Sequence, residues 1–157
     1  VYQGNSAKIF RALCPERDLY LFDTFTGFDK RDCEVERASP GGFETSLEEV
    51  REFLGAHDKT HYLKGYFPQT TSQLSSNIRF ALVHLDADLY HPTKSGLEFF
   101  YDKLEPGGFL ILHDHNTPHW KGVNQATLGF FADKPETMIH IPDKGGTALI
   151  RKEPIQP

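Results

Sequence analysis

Residues 80–88 read FALVHLDAD, an apolar run that ends in two carboxylates. Residues 109–112 read FLIL and are followed at once by His113-Asp114-His115. Between the two runs, residues 93–104 repeat apolar side chains at the period of a helix, and Pro106-Gly107 supplies a stop. Short apolar runs separated by such a helix are typical of parallel strands. The stretch therefore predicts a strand–helix–strand unit with polar side chains at both strand ends.

The same alternation extends in both directions from this unit. Strands are predicted at residues 19–23, 61–64, 80–86, 109–112, 137–141 and 147–151, and helices at residues 6–14, 47–54, 93–104 and 123–131. Turn-prone residues 142–146 join the last two strands into an antiparallel edge hairpin, whereas the polar residues 29–43 predict a loop or lid. The predicted fold class is α/β, with one domain over residues 1–157 and a mostly parallel sheet covered by helices on both faces.

Composition narrows the classes of function. The 157 residues carry a formal net charge of -5, so the chain lacks the basic excess that nucleic-acid binding needs. Its apolar runs are far shorter than a membrane span. The two cysteines, Cys14 and Cys33, form no disulfide pattern. We therefore expect a cytoplasmic protein that binds neither a nucleic acid nor a membrane. The sequence leaves homo-oligomerisation open.

Acidic and imidazole side chains follow the two central strands. Asp86 and Asp88 lie two apart on an extended chain and so point to the same side, where they can share one cation or divide into a base and a ligand. Asp114, flanked by His113 and His115, adds the oxygen and imidazole donors that Mg²⁺, Mn²⁺ or a softer divalent ion accepts. Any one of these groups could instead cap a helix or loop. Their clustering at adjacent strand ends favours a functional site.

Two further positions have the chemistry of a cofactor site. Asp23 ends a predicted strand, where a carboxylate can accept hydrogen bonds from both hydroxyls of a ribose. A turn or cap aspartate is an equally good interpretation. Gly4 precedes a predicted helix, whose first N–H groups could face the carboxylate of a small ligand.

Longer motifs around these residues resemble the macrocin O-methyltransferase (TylF) family. Residues 21–28, LFDTFTGF, resemble the family's LFDTFEGF, and residues 45–50, TSLEEV, resemble part of its DTSLEEV. Residues 84–90, HLDADLY, followed by Pro92-Thr93 and by LEFFY at 97–101, resemble its HLDADLY-x-PT-x(3)-LE-x-FY. Members of this family methylate sugar hydroxyls of macrolides and related natural products. The resemblance implies a Rossmann-like fold, S-adenosylmethionine as methyl donor and a small-molecule acceptor with a free hydroxyl.

The resemblance also implies roles for individual residues. It implies that Asp23 binds the cofactor ribose, that Gly4 faces the methionine part, and that residues 65–67 lie near the adenine. The full set implied to bind S-adenosylmethionine is Gly4, Asp23, Thr24, Phe25, Gly65, Tyr66 and Phe67. Asp86 is implied to be the general base, which accepts the proton of the attacking hydroxyl.

The metal site departs from the family's pattern. Where the family has Asp-Asp-Tyr, this sequence has His113-Asp114-His115, so an imidazole stands in place of one oxygen ligand. The implied metal ligands are then Asp88, His113 and Asp114, with Mg²⁺ or Mn²⁺ as the ion. Two other functions stay open. One is a nucleotide-sugar glycosyltransferase that uses Asp86-x-Asp88 as its metal motif, and the other is a non-catalytic domain that binds the cofactor.

Residues 1–6 resemble the loop that follows the first strand of such a fold, yet no strand-like run precedes them. In the common order of this architecture the first strand lies centrally in the sheet. We therefore expect the sequence to be an N-terminally incomplete copy of a longer chain that lacks this first strand.

Overall fold

A computed structural model of the protein describes residues 1–33 and 38–154. The chain divides into two compact units, which we call the N-terminal unit (Val1–Leu74) and the C-terminal unit (Ser75–Pro157). Each unit contains its own parallel pair of strands.

The N-terminal unit contains two parallel strands with helices before and between them. In chain order its elements are α1 (Asn5–Leu13), β1 (Leu19–Asp23), α2 (Lys30–Cys33), α3 (Leu47–Leu54), β2 (Thr60–Lys64) and a 3₁₀ helix (Gln69–Gln73). Strand β1 pairs with β2 so that Asp23 stands opposite Lys64. The unit has a small apolar core in which Phe25, Leu47 and Val50 are buried.

Polar contacts fix where the helices of this unit begin and end. Helix α3 begins with a capping box, in which Ser46 Oγ accepts the Glu49 N–H at 3.1 Å while Glu49 Oε2 accepts the Ser46 N–H at 2.9 Å. The buried guanidinium of Arg11 donates to the carbonyls of Pro15, Arg17 and Lys59. It therefore ties the end of α1 to the residue before β2.

The C-terminal unit is a four-stranded mixed sheet with two long helices. Its elements are β3 (Phe80–Leu85), α4 (Tyr90–Tyr101), β4 (Leu104–Leu112), α5 (Lys121–Phe131), β5 (Met138–His140) and β6 (Ala148–Arg151). The strand order is β3-β4-β6-β5, in which β3 and β4 are parallel and β6 is antiparallel to both of its neighbours. The predicted antiparallel edge hairpin is confirmed.

Alternation and close packing explain this sheet. Leu110 and Leu112 of β4 are buried, as is Ile150, which stands opposite Leu110 on β6. Helix α4 contributes the fully buried Leu97 and approaches β3 at Gly96, where an added Cβ would lie 2.7 Å from Leu85 Cδ1. Glycine therefore permits the close contact between α4 and β3.

Two predicted bounds were wrong, those of the helix over residues 93–104 and of the strand over residues 109–112. The helix predicted over residues 93–104 ends at Tyr101, and Leu104 already pairs with Phe80 of β3. The Phe80 N–H donates to the Lys103 carbonyl at 2.9 Å. Pairing with β3 therefore ends the helix before Pro106-Gly107, where the sequence predicted its end. Those two residues instead lie in the irregular part of β4.

The segment predicted as a loop or lid, residues 29–43, contains the short helix α2. Its residues 34–37 lie outside the described residues. The end of the segment folds back on its beginning through two backbone hydrogen bonds, from the Phe28 N–H to the Gly42 carbonyl and from the Gly41 N–H to the Phe28 carbonyl, each 3.0 Å. In the described part of the chain, no helix is long and apolar enough to cross a membrane.

The capping box gives a test of the N-terminal unit. Replacing Ser46 with alanine removes the acceptor of the Glu49 N–H, and we expect the free energy of unfolding to fall by about 1 kcal/mol. Chemical denaturation measures the change. Ser6→Ala, an exposed position inside α1, is the control and should leave stability within about 0.5 kcal/mol of the wild type. Equal stability of both variants would contradict a role for the capping box.

Candidate active site

The C-terminal unit brings the acidic and imidazole groups together at the carboxyl ends of β3 and β4. Parallel pairing places Leu85 opposite Leu112, and the His113 N–H continues the ladder by donating to the Leu85 carbonyl at 3.0 Å. The residues that follow each strand therefore meet at one edge of the sheet.

His113 stands between two carboxylates. Its Nδ1 lies 3.2 Å from Asp86 Oδ1 and 2.9 Å from Asp114 Oδ2. One donor atom from each of the three residues falls within 4.8 Å of the others, a spacing that could hold a metal ion. The side chains of Asp86 and His113 are each 37% exposed, whereas that of Asp114 is 9% exposed. The group is therefore anchored on one side and open to a ligand on the other.

Asp88 is not one of the three residues of this group, but it contacts one of them, Asp114. A hydrogen bond joins the carboxyl groups of Asp88 and Asp114, which requires a proton between them. Burial, followed by the charges of Asp86 and Asp114, raises the pKa of Asp88 to about 7. The backbone of both Asp88 and Asp114 is left-handed, with φ 59° at each. Aspartate tolerates this conformation at some cost, and such strain clusters at functional sites.

The pKa values of two histidines near this edge are shifted in opposite directions. Burial alone would lower the pKa of His113, but its hydrogen bond to Asp114 and the charges of Asp86 and Asp114 together raise it. Burial lowers the pKa of His84, which lies within β3. His113 therefore takes a proton more readily than His84, and a protonated His113 would offset part of the carboxylate charge.

Asp23 in the N-terminal unit gathers hydrogen-bond donors. Its carboxylate accepts the Phe25 N–H at 2.8 Å and the Tyr2 N–H at 3.2 Å. Asp23 is thus a hydrogen-bond acceptor at the end of β1, where a carboxylate can also accept bonds from ribose hydroxyls.

Gly4 and Gly65 occupy backbone positions that favour glycine. Gly4 caps α1 with φ 86°, and an added Cβ would lie 3.3 Å from Val50 Cγ1. Gly65 has φ 146°, and its N–H donates to the Asp23 carbonyl at 3.0 Å. The residue after β2 is thereby held beside the end of β1.

The side chains of Thr24 and Phe25 face the protein rather than solvent. Thr24 Oγ1 donates to the Gly27 carbonyl at 2.7 Å and so closes a turn. Phe25 is 1% exposed and belongs to the apolar core, and its backbone is left-handed with φ 54°. A cofactor role for Phe25 therefore rests on its N–H group, which fixes the carboxylate of Asp23.

Tyr66 has partners that the sequence did not reveal. Its hydroxyl donates to Asp32 Oδ1 at 2.8 Å, and the guanidinium of Arg31 lies 3.6 Å from its ring centroid. Burial, together with Asp32, raises the pKa of Tyr66 to about 12. Phe67 packs edge-on against Phe22, with 5.8 Å between ring centroids. Helix α2, which lies in the segment predicted as a loop or lid, thus contacts the residues that follow β2. In the sequence, the polarity of residues 29–43 was the one indication of a contact near the site.

Comparison with known proteins assigns the chain to a family. Residues 6–143 match the family described as macrocin O-methyltransferase (TylF). The chain belongs to this family. It is 29% identical over 132 residues to the 8-demethyl-8-(2,3-dimethoxy-alpha-L-rhamnosyl)-tetracenomycin-C 4'-O-methyltransferase of Streptomyces olivaceus, and the match covers 73% of the chain and 50% of that protein. It is 28% identical over 117 residues to a mycinamicin III 3''-O-methyltransferase of Micromonospora griseorubida, with 66% and 46% covered. The chain spans about half the length of these relatives.

Solved structures show the same fold. The O-methyltransferase NovP matches with a TM-score of 0.83 and 20% identity over 98% of the chain and 69% of NovP. The calicheamicin methyltransferase CalS11 matches with a TM-score of 0.79 and 26% identity over 96% of the chain and 69% of CalS11. The predicted Rossmann-like α/β fold of the family is therefore confirmed.

Asp88 makes the stability of the metal-free protein depend on pH. The folded protein keeps the Asp88 proton up to about pH 7, whereas the unfolded chain releases it near the ordinary value of 3.8. The stabilisation from this proton is complete below pH 3.8 and is lost as the pH rises through about 7. We expect Asp88→Asn to flatten the fall in the free energy of unfolding between about pH 5 and pH 8.

Denaturation curves at several pH values in EDTA measure this slope. Asp133→Asn is the matched control, because Asp133 is 84% exposed and its pKa is lowered by Lys134. A slope that is unchanged in Asp88→Asn would show that the carboxyl group of Asp88 is ionised in the folded protein at pH 5.

Proposed function

We propose that the protein is an S-adenosylmethionine-dependent O-methyltransferase that methylates a sugar hydroxyl of a natural product, with a divalent ion assisting. The observation that carries the proposal is the convergence of Asp86, His113 and Asp114 in a chain of the TylF family. The relatives named for sugar O-methylation support the class of acceptor, and so does a structure of CalS11 described as a TDP-rhamnose 3'-O-methyltransferase.

The donor set fits a divalent ion. Two carboxylates and an imidazole suit Mg²⁺, Mn²⁺ or a softer ion, and the half-exposed side of the group leaves room for a further oxygen ligand. His113 and Asp114 would hold the ion directly, and Asp88 would join them once it loses its proton. A bound divalent ion would lower the pKa of a coordinated sugar hydroxyl.

Asp86 is the proposed general base. It is the exposed carboxylate of the group and lies at the open side, where an acceptor hydroxyl can reach it. In the reaction, the hydroxyl oxygen forms a bond to the methyl carbon while the bond from sulfur to that carbon breaks, and the hydroxyl proton passes to Asp86. S-Adenosylhomocysteine and the methyl ether are the products. A base in this position contributes about 10²–10⁴-fold to the rate.

Asp23 is the proposed ligand of the cofactor ribose. Its carboxylate accepts two backbone N–H groups, which hold it in one orientation at the end of β1. Gly4, Thr24, Phe25 and residues 65–67 complete the proposed cofactor set. Glycine at positions 4 and 65 lets the backbone adopt the turns on either side of this carboxylate.

Calorimetry with S-adenosylmethionine tests the cofactor assignment. Losing a charge-assisted hydrogen bond costs about 1.5–3 kcal/mol, so we expect Asp23→Asn to weaken binding by at least about tenfold. Asp18→Asn, at an exposed carboxylate on the opposite end of β1, is the control and should bind as the wild type does. Wild-type binding of a UDP-sugar without binding of S-adenosylmethionine would instead support a glycosyltransferase.

Removal of the metal tests the chemistry. With TDP-rhamnose as the first acceptor probe, we expect EDTA to abolish turnover and Mg²⁺ or Mn²⁺ to restore it. Asp86→Asn should lower kcat by about 10²–10⁴-fold and leave S-adenosylmethionine affinity unchanged, whereas Asp88→Asn should weaken Mn²⁺ affinity first. Full activity in the chelated protein would rule out metal assistance. Cofactor binding without turnover on any acceptor would point to a non-catalytic domain.

A further inference from the structure

The turn between β5 and β6 lies against the segment that carries His113 and Asp114. The Asp114 N–H donates to the Gly145 carbonyl and the Asn116 N–H donates to the Gly146 carbonyl, each at 2.9 Å. The turn itself is closed by Asp143, whose carboxylate accepts the Thr147 N–H at 2.9 Å. Residues 113–116 are therefore fastened to a turn about thirty residues later in the chain.

Gly145 has no room for a side chain, because the imidazole of His113 occupies the space. A Cβ on Gly145 would overlap His113 Nε2 and would lie 3.0 Å from Cδ2 and 3.1 Å from Cε1 of the same ring. Gly146 differs, because its φ of 57° already favours glycine and its added Cβ would meet the Asn116 backbone at 2.7 Å. A side chain at position 145 would therefore force the His113 ring to move, whereas glycine leaves the ring in place.

The ring of His113 is held from both edges. Its Nε2 edge lies on Gly145, and its Nδ1 edge faces the carboxylate oxygens of Asp86 and Asp114 at 3.2 and 2.9 Å. A turn of the ring about its Cβ–Cγ bond would put Cδ2 beside those oxygens and lose both polar contacts. An aspartate at position 113, as in the family's Asp-Asp-Tyr pattern, has no atom as far from its Cα as Nε2, so it would not require the glycine.

We propose that Gly145 is a positioning residue that holds the His113 ring so that Nδ1, and not Nε2, is offered to the divalent ion. This inference rests on the proposed metal site. The imidazole at position 113 and the absence of a side chain at position 145 then fit one another. Residues that orient a metal ligand typically contribute about 10–100-fold to metal affinity.

The test is a double-mutant cycle between Gly145→Ala and His113→Asp, with Mn²⁺ affinity measured by calorimetry and Co²⁺ absorption spectra as a second readout. We expect Gly145→Ala alone to weaken Mn²⁺ binding by about 10–100-fold and to change the Co²⁺ spectrum. In the His113→Asp background the same alanine should change Mn²⁺ affinity by less than about threefold. Gly129→Ala is the control, because an added Cβ there has no atom within 4 Å.

The cycle stays decisive if Gly145→Ala folds poorly. A clash with His113 predicts that the double variant regains both the melting temperature and the Mn²⁺ affinity of His113→Asp alone. If the double variant is as impaired as Gly145→Ala, or if Gly145→Ala binds Mn²⁺ as the wild type does, the proposal is overturned while the metal site stands. Wild-type protein that binds S-adenosylmethionine but no divalent ion would overturn the metal site and this inference together.

Discussion

Three carboxylates crowd the carboxyl ends of two adjacent strands, and their mutual repulsion is the constraint on which the site depends. Because β3 and β4 are parallel neighbours, Asp86, Asp88 and Asp114 all follow strands that end at the same edge of the sheet. Without an added cation, burial and the charges of Asp86 and Asp114 raise the pKa of Asp88 to about 7, and the neighbouring carboxylates raise the pKa of His113. Both shifts are the responses that crowded carboxylates produce.

Most of the fold was predictable because each strand has a short apolar run and each long helix has an apolar face. The capping box at Ser46 and the edge hairpin followed from local chemistry alone. The end of α4 did not, because helix and strand compete there for the same residues. The hydrogen bond between Phe80 and Lys103 favours the strand. These residues are more than twenty positions apart, so the local sequence pattern does not indicate their contact.

The site was predictable to the extent that its residues directly follow strands. Strand ends meet at one edge, so Asp86 and Asp114 could be placed together from the sequence. Partners that come from loops could not, because loop geometry is not periodic. The contact of Asp32 with Tyr66 and that of Gly145 with His113 are of this kind. Motif resemblance also could not show that the side chain of Phe25 is buried in the core.

The exchange of a carboxylate for an imidazole at position 113 changes charge and shape together. A neutral imidazole ligand removes one negative charge from the donor set, which weakens the attraction for hard ions such as Mg²⁺ relative to softer ones. The ring is also larger and rigid, so it needs space on the side that faces away from the ion. The turn after β5 supplies that space at Gly145. An imidazole ligand at the sheet edge therefore needs space in a turn that contributes no ligand itself.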